Sequence, residues 1–387
     1  MTKTHPLSGI KVIEIGQIAA GPFASMLLAD LGADVIKIER PSVGDGMREW
    51  PPLSKKNKDV FSENFASLNR NKRSVALDFK NRDDLIYLKK LCEKADIIIE
   101  NYRPKSLEKY GLDYASLKKN NSKLIYCSIS GYGQKGPYAQ RGAFDVTIQA
   151  ISGIMSVTGE QSRDPVKCGV PIADFAAGLY GAYSIMTLIR RREIDGKGGY
   201  IDCSMLGSML GISALQTSEY YGTNEAPKRL GSAHPRNAPY QGFYGKDKHF
   251  VIAAGNNKLW KKVTEVVNLP YLYEDKRFIS QELRAKNQII LSDILNDVFS
   301  KKSADYWLRE CNKKGIPCAP INNFEEILDD PHVQEMDILG DLKLPNDVKT
   351  KYVGFPVNLS DFNFEIYNPP PKIGEHNKEV AKDWGVI

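Results

Sequence analysis

Histidine is scarce in this chain, and its scarcity limits the chemistry open to the first half. The 387 residues include five histidines, and none lies between His5 and His234. Histidine is the side chain that most often transfers protons in active sites near neutral pH. A reaction carried by the residues between these two histidines is therefore expected to use a carboxylate without help from an imidazole.

The six cysteines contain no Cys-x-x-Cys pair, the spacing typical of zinc and redox sites. We therefore expect neither a metal site nor a disulfide framework. No uncharged run reaches the roughly 20 residues that a membrane span needs. Lys11 and Glu14 interrupt the first apolar stretch, which argues against a secretory signal. These absences predict a cytoplasmic protein with no membrane segment. We also expect no tightly bound cofactor.

The net charge of the chain is also small. The formal net charge of +6 is typical of a lysine-rich surface and is compatible with a polyanionic small ligand. The basic stretch Asn69–Arg73 is interpreted as a surface loop. No groove-reading motif or long basic helix is present, so nucleic acid is not an expected partner.

Apolar runs alternate with amphipathic stretches through the first 220 residues. Continuous apolar strands between helices are typical of a parallel sheet covered on both faces. The sequence therefore predicts an α/β fold with a Rossmann-like parallel sheet. The predicted strands are residues 11–15, 34–39, 75–79, 96–100, 124–130 and 200–205, and the main helices are 21–31, 83–95 and 174–191.

Changes in composition predict two domains. Residues 1–221 form the first part of a large domain, and residues 222–245, rich in Gly, Pro and Asn, form a linker. Residues 246–330 alternate one strand with short charged helices and are predicted to form a smaller α+β domain. Residues 331–387 are predicted to return to the large domain.

Asp174 is the most informative residue in the chain. It stands where an apolar run containing Pro171 turns into a helix built on small residues, including Gly178 and Gly181. Each helical glycine costs about 1 kcal/mol relative to alanine, so close contact with another backbone or a ligand is expected. Asp174 is either a helix N-cap or a reactive carboxylate, and the helix N-terminus favours its ionised form.

Polar loops follow several predicted strands. They are Gly16–Gly21, Arg40, Asn101–Arg103 with Lys109, and Ser130–Gly133. Each alone is compatible with a tight turn or a solvated charge, and the first matches neither a dinucleotide fingerprint nor a P-loop. Ligands of open α/β sheets bind at the carboxyl edge, so these loops together favour one shared anionic ligand.

Taken together, these residues resemble the family III CoA-transferases, which include formyl-CoA:oxalate and carnitine CoA-transferases. The resemblance covers essentially the whole chain. The matching stretches are Ala20-Gly-Pro, residues 31–40, Asn71-Lys-Arg-Ser, Glu100-Asn, Gly131-Tyr-Gly, residues 169–182 and residues 315–320.

The resemblance implies an enzyme that moves CoA from an acyl-CoA thioester to a free small carboxylic acid. It implies that Asp174 is the nucleophile, acting through a mixed anhydride and an aspartyl-CoA thioester. CoA and acyl-CoA are then substrates. It also implies an interlaced homodimer. The donor and acceptor acids are not specified, although a dicarboxylate such as succinate is a reasonable expectation.

The resemblance also implies a CoA pocket, with Arg40 facing the nucleotide phosphates and Ile129–Tyr132 near the thioester. Ala19 stands where formyl-CoA transferases carry Gln, and Gly255-Asn-Asn replaces a longer glycine-rich loop, so formyl and oxalate specificity is not expected. The implied CoA-binding residues are Ala19, Ala20, Arg40, Leu77, Asp78, Phe79, Lys80, Asn101, Tyr102, Arg103, Lys109, Ile129, Ser130, Gly131 and Tyr132.

Two alternatives stay open. The α-methylacyl-CoA racemases share the fold but carry a proton-transferring His at the position of Phe144, and phenylalanine cannot exchange a proton. A non-catalytic CoA-binding protein would retain its function without Asp174.

Overall fold

The computed structural model describes residues 5–386. Within them the chain divides into two compact units. The first contains residues 5–154, 167–225 and 334–386, and the second contains residues 155–166 and 226–333.

The strands are β1 (Lys11–Ile15), β2 (Asp34–Glu39), β3 (Leu53–Lys56), β4 (Asp59–Ser62), β5 (Lys72–Ala76), β6 (Ile97–Glu100), β7 (Ile125–Ser130), β8 (Gly199–Ser204), β9 (Tyr240–Tyr244), β10 (His249–Ala253), β11 (Cys318–Pro320), β12 (Leu339–Lys343) and β13 (Lys349–Val353). The α-helices are α1 (Ala20–Asp30), α2 (Glu63–Asn69), α3 (Arg82–Lys94), α4 (Tyr114–Leu117), α5 (Asp145–Ile151), α6 (Ile172–Asp195), α7 (Met205–Ile212), α8 (Ala214–Thr223), α9 (Asn257–Val266), α10 (Gln281–Lys286), α11 (Gln288–Phe299), α12 (Ala304–Lys313), α13 (Phe324–Leu328), α14 (Pro331–Glu335) and α15 (Asn377–Asp383). Short 3-10 helices lie at Gly46–Glu49, Glu108–Tyr110, Ile154–Val157 and Pro270–Tyr273.

The first unit is built on a six-stranded parallel sheet in the order β5-β2-β1-β6-β7-β8. Alternate residues of the central strands enter the two cores that cover the sheet: Val12 and Ile97 pack with α1 and α6, whereas Ile13 and Ile98 pack with α3 and α15. This confirms the predicted α/β fold with a doubly covered parallel sheet.

The strand order indicates where along the sheet a ligand can bind. Strand β1 pairs with β2 on one side and with β6 on the other, so the chain reverses its direction of travel across the sheet at β1. The loops that follow β1 and β6 therefore open a crevice at the carboxyl edge, where ligands of such sheets bind.

One strand lies earlier than predicted. The prediction for residues 75–79 was wrong, because the strand is β5, Lys72–Ala76. The neighbouring interpretation of Asn69–Arg73 as a surface loop was also wrong, since Lys72 and Arg73 are buried. Lys72 Nζ donates hydrogen bonds to Glu14 Oε2 and Asn69 Oδ1, and Arg73 pairs with Asp34, so these charges lie inside the fold with partners.

One face of helix α6 packs in the core of the first unit. A Cβ on Gly178 would lie 2.8 Å from Phe23 Cδ1 and 3.1 Å from the carbonyl oxygen of Ala20, which confirms the expected close backbone contact. Among residues 5–386, α6 is the one helix that is long and apolar enough to cross a membrane by length and composition, a test that core helices also meet.

The second unit contains the antiparallel sheet β11-β10-β9, covered by helices α9 to α12. Aromatic side chains fill its core, with Phe299 edge-on to both Phe250 and Trp307. Strand β9 lies within residues 222–245, the segment predicted to be a linker.

The C-terminal segment packs on the parallel sheet of the first unit. The backbone N–H of His376 donates to the carbonyl oxygen of Ser74, and Trp384 enters the core next to α3. The hairpin β12-β13 contributes Leu342 to a smaller core beside α2.

Candidate active site

Two adjacent cavities open at the carboxyl edge of the parallel sheet. The first, here the Arg40 cavity, has a volume of about 230 Å³. The second, here the Asp174 cavity, has a volume of about 310 Å³. Gln17 and Tyr102 line both cavities, and Gln17 Nε2 donates a hydrogen bond to the Tyr102 hydroxyl at 3.0 Å.

The structure divides most of the predicted site residues between these cavities. Tyr132 lines neither, because it packs against the core and edge-on to Tyr138. The Arg40 cavity is lined by Arg40, Leu77, Asp78, Phe79, Lys80, Tyr102 and Lys109. The Asp174 cavity is lined by Ala19, Ala20, Asn101, Tyr102, Arg103, Ile129, Ser130, Gly131 and Asp174.

The Arg40 cavity combines cations with aromatic rings. Arg40 directly follows β2, and its side chain is exposed, as are those of Lys80 and Lys109. Phe79 packs edge-on against Tyr110, with ring centroids 5.6 Å apart. Guanidinium and ammonium groups bind phosphates, and aromatic rings stack on bases. The cavity is chemically suited to a phosphorylated aromatic ligand.

Asp174 is the third residue of α6, so the N-cap interpretation was wrong: Pro171 occupies that position. Its side chain is partly buried and lines the cavity, and no side chain within residues 5–386 donates a hydrogen bond to it. Burial, followed by the nearby Asp145 carboxylate, raises the pKa of Asp174 to about 7. Burial therefore outweighs the helix terminus that was expected to favour the ionised form.

Asp145 and Gln149 on α5 hold the chain that leads to Asp174. Asp145 Oδ1 accepts the backbone N–H of Ala173 at 2.9 Å, and Oδ2 accepts Gln149 Nε2 at 2.7 Å. Gln149 Oε1 in turn accepts the backbone N–H of Cys168 at 2.8 Å. The entry to α6 is therefore fixed at two points, by Asp145 and by the buried Gln149.

The loop between β1 and α1 forms the wall between the cavities, and its backbone is strained. Ile18 has a φ of +67°, a left-handed conformation that is costly for a β-branched residue. The Asp45 carboxylate accepts the Ile18 N–H with both oxygens, at 3.1 and 3.2 Å. Asn101 accepts the Gln17 N–H and donates to the Gln17 carbonyl. These two N–H groups are thus occupied rather than free to bind an anion.

A buried ion cluster supports this loop. Lys37 Nζ donates to Glu14 Oε1 at 2.6 Å and to the Gly16 carbonyl at 3.0 Å, and it pairs with Asp45 at 2.8 Å. Lys72 Nζ donates to the other Glu14 oxygen at 2.8 Å. Burial and the neighbouring Lys37 lower the pKa of Lys72 to about 8, against the opposing attraction of Glu14. The cluster joins β1, β2 and β5 beneath the loop.

Sequence reasoning missed several residues of the site. Arg141 and Asp145 were not among the predicted site residues, although Phe144 between them was weighed as the racemase position, and the structure places Arg141 and Phe144 on the lining of the Asp174 cavity. Asp45 and Met205 carried no signal, because their importance depends on which loops meet at the sheet edge. Among residues 5–386, no group of three or more His, Cys, Asp or Glu side chains is placed to hold a metal ion.

Comparisons with known proteins found relatives that are similar to this chain in sequence and in structure. The family model described as CoA-transferase family III matches residues 7–377. The chain is 36% identical to the succinyl-CoA:glutarate CoA-transferase of Homo sapiens, over 99% of this chain and 87% of that protein. It is also 36% identical to the succinate–glutarate CoA-transferase of Agrobacterium fabrum, over 99% and 96%. A crystal structure of a CAIB/BAIF family protein from Brucella suis superposes with a TM-score of 0.87 at 36% identity, covering 98% of this chain and 99% of that one.

Proposed function

Because this chain belongs to CoA-transferase family III and is a CoA-transferase, we propose that Asp174 carries the transfer of CoA from an acyl-CoA thioester to a free small carboxylic acid. The observation that carries this proposal is the position of Asp174, the sole acid among the residues that line its cavity. The Arg40 cavity next to it supports the placement of the CoA nucleotide.

The proposed reaction has four balanced steps. The Asp174 carboxylate attacks the thioester carbonyl and expels CoA thiolate, which leaves a mixed anhydride. The thiolate attacks the Asp174 carbonyl and releases the first acid as its carboxylate, which leaves an aspartyl-CoA thioester. The incoming carboxylate attacks that thioester and again expels thiolate, and the thiolate then takes the new acyl group and restores Asp174.

The raised pKa of Asp174 suits this sequence. An ionised carboxylate with a pKa of about 7 is more basic, and therefore a stronger nucleophile, than an ordinary carboxylate. Partial burial also limits the access of water, which would hydrolyse the anhydride.

The experiment that tests the function is a screen of carboxylic acids against succinyl-CoA and acetyl-CoA, with products identified by mass spectrometry. The proposal requires a new acyl-CoA and an equal amount of the released donor acid. Release of free CoA without a new thioester would indicate a hydrolase and would contradict it.

We also propose that the chain forms a homodimer, as the family resemblance implies. Apolar side chains on α6 and on α8 are exposed in the single chain, among them Leu179, Tyr183, Leu215 and Tyr221. Exposed apolar surface of this kind supports an interface with another protein surface.

Replacing Arg40 tests the placement of CoA. Arg40→Ala removes a charge-assisted contact to phosphate, so the dissociation constant of CoA should rise by a factor that corresponds to roughly 1.5–3 kcal/mol. Isothermal titration calorimetry measures it. Arg190→Ala, an exposed arginine near the other end of α6, is the matched control and should bind CoA as the wild type does. Equal CoA affinity in both variants would contradict this placement.

Replacing Asp145 tests the electrostatics of the nucleophile. Asp145→Asn keeps an oxygen for the Ala173 N–H but removes the negative charge that raises the pKa of Asp174. The pKa of Asp174 should therefore fall from about 7, and more of the carboxylate is ionised at acidic pH. The acidic limb of the kcat/KM profile should move to lower pH. An acidic limb that stays in place or moves to higher pH would show that Asp145 does not act on Asp174 by charge.

A further inference from the structure

Glu100, at the end of β6, is the one buried carboxylate within residues 5–386 that forms no ion pair. The others are Glu14, Asp30, Glu39 and Asp45, and each of them pairs with a lysine or an arginine. Glu100 is 6% exposed and lines a third cavity, here the Glu100 cavity, which has a volume of about 220 Å³. A buried carboxylate without a cation costs stability, so the charge of Glu100 does not itself stabilise the fold.

The strands beside Glu100 provide hydrogen bonds but no positive charge. The strand register places Ser128 of β7 next to Glu100 and Asp202 of β8 next to Ser128. The Tyr200 hydroxyl donates a hydrogen bond to Ser128 Oγ at 3.0 Å. Burial raises the pKa of Glu100 to about 7, and Asp202 adds to the rise, against the opposing hydrogen bond from Ser128. Glu100 is therefore ionised at weakly alkaline pH and neutral at weakly acidic pH.

The loop that covers the Glu100 cavity does not neutralise Glu100 either. The other charged side chains that line this cavity are Arg103, Lys105, Glu108 and Asp113. The first three are exposed, and Asp113 caps the N-terminus of α4. Within residues 5–386 neither of the two cations forms an ion pair with Glu100. The buried carboxylate therefore depends on hydrogen-bond donors alone.

One of these donors belongs to the loop between the two cavities of the active site. Glu100 Oε2 accepts the backbone N–H of Tyr102 at 2.8 Å. Tyr102 lines both the Arg40 cavity and the Asp174 cavity, and its hydroxyl accepts a hydrogen bond from Gln17 Nε2. The backbone of Tyr102 is thus bound to β6 and its ring to the loop after β1. A CoA molecule with its nucleotide in the first cavity and its thioester in the second has to pass this residue.

The charge of Glu100 strengthens its hold on the loop. A hydrogen bond to an ionised acceptor is roughly twice as strong as one to a neutral acceptor. Loss of this bond allows Tyr102 to leave the position in which it lines both cavities. The fraction of molecules that can bind CoA then falls, and the apparent dissociation constant rises by the same factor.

Resting on the proposed function, we infer that Glu100 is a positioning residue for CoA, whose carboxylate holds Tyr102 at the junction of the two cavities in the conformation that binds acyl-CoA. Glu100 lies with Tyr126 on the face of the sheet that α3 covers, whereas Asp174 lies on α6, which covers the other face. Glu100 is therefore expected to act on the affinity for CoA and not on the chemical step.

The test measures the dissociation constant of CoA at pH 8 by isothermal titration calorimetry. Glu100→Gln keeps a neutral acceptor for the Tyr102 N–H, and Glu100→Met keeps the length of the side chain but removes the acceptor. The dissociation constant should rise by roughly 3- to 10-fold in the first variant and by roughly 10- to 100-fold in the second. Glu193→Gln, which neutralises an exposed glutamate near the end of α6, is the matched control and should bind CoA as the wild type does. Wild-type affinity in Glu100→Met would overturn the inference.

The pH dependence of binding tests whether the charge of Glu100 is what holds the loop. As the pH falls from 8 to 6, Glu100 of the wild type takes up a proton and becomes neutral, as Gln is. The dissociation constant of Glu100→Gln, divided by that of the wild type, should therefore fall towards one. The titration of CoA itself cancels in this ratio. A ratio that stays constant or rises over this range would overturn the inference.

Turnover and stability separate positioning from a structural role. In Glu100→Met the KM for succinyl-CoA should rise by the factor found for CoA binding, with kcat within roughly threefold of the wild type. Glu100→Gln should unfold at a temperature equal to or above that of the wild type at pH 8, because it buries no charge. This difference should shrink towards pH 5, where Glu100 of the folded wild type is protonated. A lower kcat at unchanged KM, or a Glu100→Gln variant less stable than the wild type at pH 8, would overturn the inference.

The inference and the proposed function fail on different measurements. The CoA affinities of the Glu100 variants are measured without turnover, so wild-type affinity in Glu100→Met would leave Asp174 as the proposed nucleophile. Exchange of acids that persists in Asp174→Asn would instead contradict the proposed function, whatever the affinities of the Glu100 variants.

Discussion

Asp174→Asn is expected to abolish CoA transfer while the chain stays folded. The amide keeps the size and shape of the carboxylate but cannot attack a thioester, so the rate should fall by roughly 10³-fold or more, as when a covalent nucleophile is removed from other enzymes. The substitution removes no side-chain hydrogen bond from the fold, because no side chain within residues 5–386 donates one to Asp174. Replacing a partly buried carboxylate with a neutral group leaves stability unchanged or raised.

Three measurements on this variant separate a lost nucleophile from a damaged fold. Acyl exchange should be undetectable, the midpoint of thermal unfolding should equal or exceed that of the wild type, and CoA should bind with unchanged affinity in the Arg40 cavity. Asp195→Asn, at the other end of α6, is the matched control and should exchange acids at the wild-type rate. Residual activity within about tenfold of the wild type would exclude Asp174 as the nucleophile.

The second large effect is expected on stability, from Glu14→Gln. Glu14 is fully buried, and its carboxylate accepts hydrogen bonds from Lys37, Lys72 and Ser25 at 2.6, 2.8 and 2.6 Å. Removing one partner of a buried ion pair leaves an uncompensated charge and costs about 3–5 kcal/mol of unfolding free energy. Lys37 still forms an ion pair with Asp45 in this variant, so most of the lost unfolding free energy comes from the unpaired charge of Lys72. Urea unfolding followed by circular dichroism measures the loss.

The pH dependence of this loss follows from Lys72. The pKa of Lys72 is already lowered to about 8 in the folded chain, below its ordinary value of 10.5, and losing Glu14 lowers it further. Between the folded and the unfolded pKa of Lys72, the folded chain binds fewer protons than the unfolded chain, so the free energy of unfolding rises with pH. In the variant this pH range begins at a lower pH than in the wild type. The deficit relative to the wild type should therefore shrink between pH 6 and pH 9.

A double variant serves as the control for this prediction. Glu14→Leu with Lys72→Met removes both charges and replaces them with apolar groups, which is often neutral for a buried pair. It should recover most of the stability lost in Glu14→Gln. A single variant that loses less than about 1 kcal/mol, or a double variant less stable than the single one, would contradict the role given to the cluster.

The sequence predicted those parts of the fold that depend on local pattern. The runs at Lys11–Ile15 and Asp34–Glu39 were identified as strands because β-branched residues fill them, and the structure has both. Strand β5 was misplaced because Lys72 and Arg73 look like surface residues. Their partners Glu14 and Asp34 are distant in sequence, so only the folded sheet shows that these charges are paired.

At the candidate site, too, the sequence predicted the residues that depend on a local pattern and missed those that depend on distant parts of the chain. Arg40 and Asn101 were placed at the sheet edge because each directly follows an apolar strand. Arg141 was not, since it lies in a long loop whose course no periodicity specifies. The helix N-terminus was expected to favour the ionised form of Asp174, but burial and Asp145, 29 positions earlier in the sequence, raise its pKa.

The most direct test of Asp174 as the nucleophile is to capture the acylated side chain. The enzyme is incubated with succinyl-CoA, treated with hydroxylamine or borohydride, digested and analysed by mass spectrometry. Capture on the peptide that contains Asp174, absent when succinyl-CoA is omitted, is the result we expect. An unmodified Asp174 peptide from an enzyme that exchanges acids at full rate under the same conditions would contradict it.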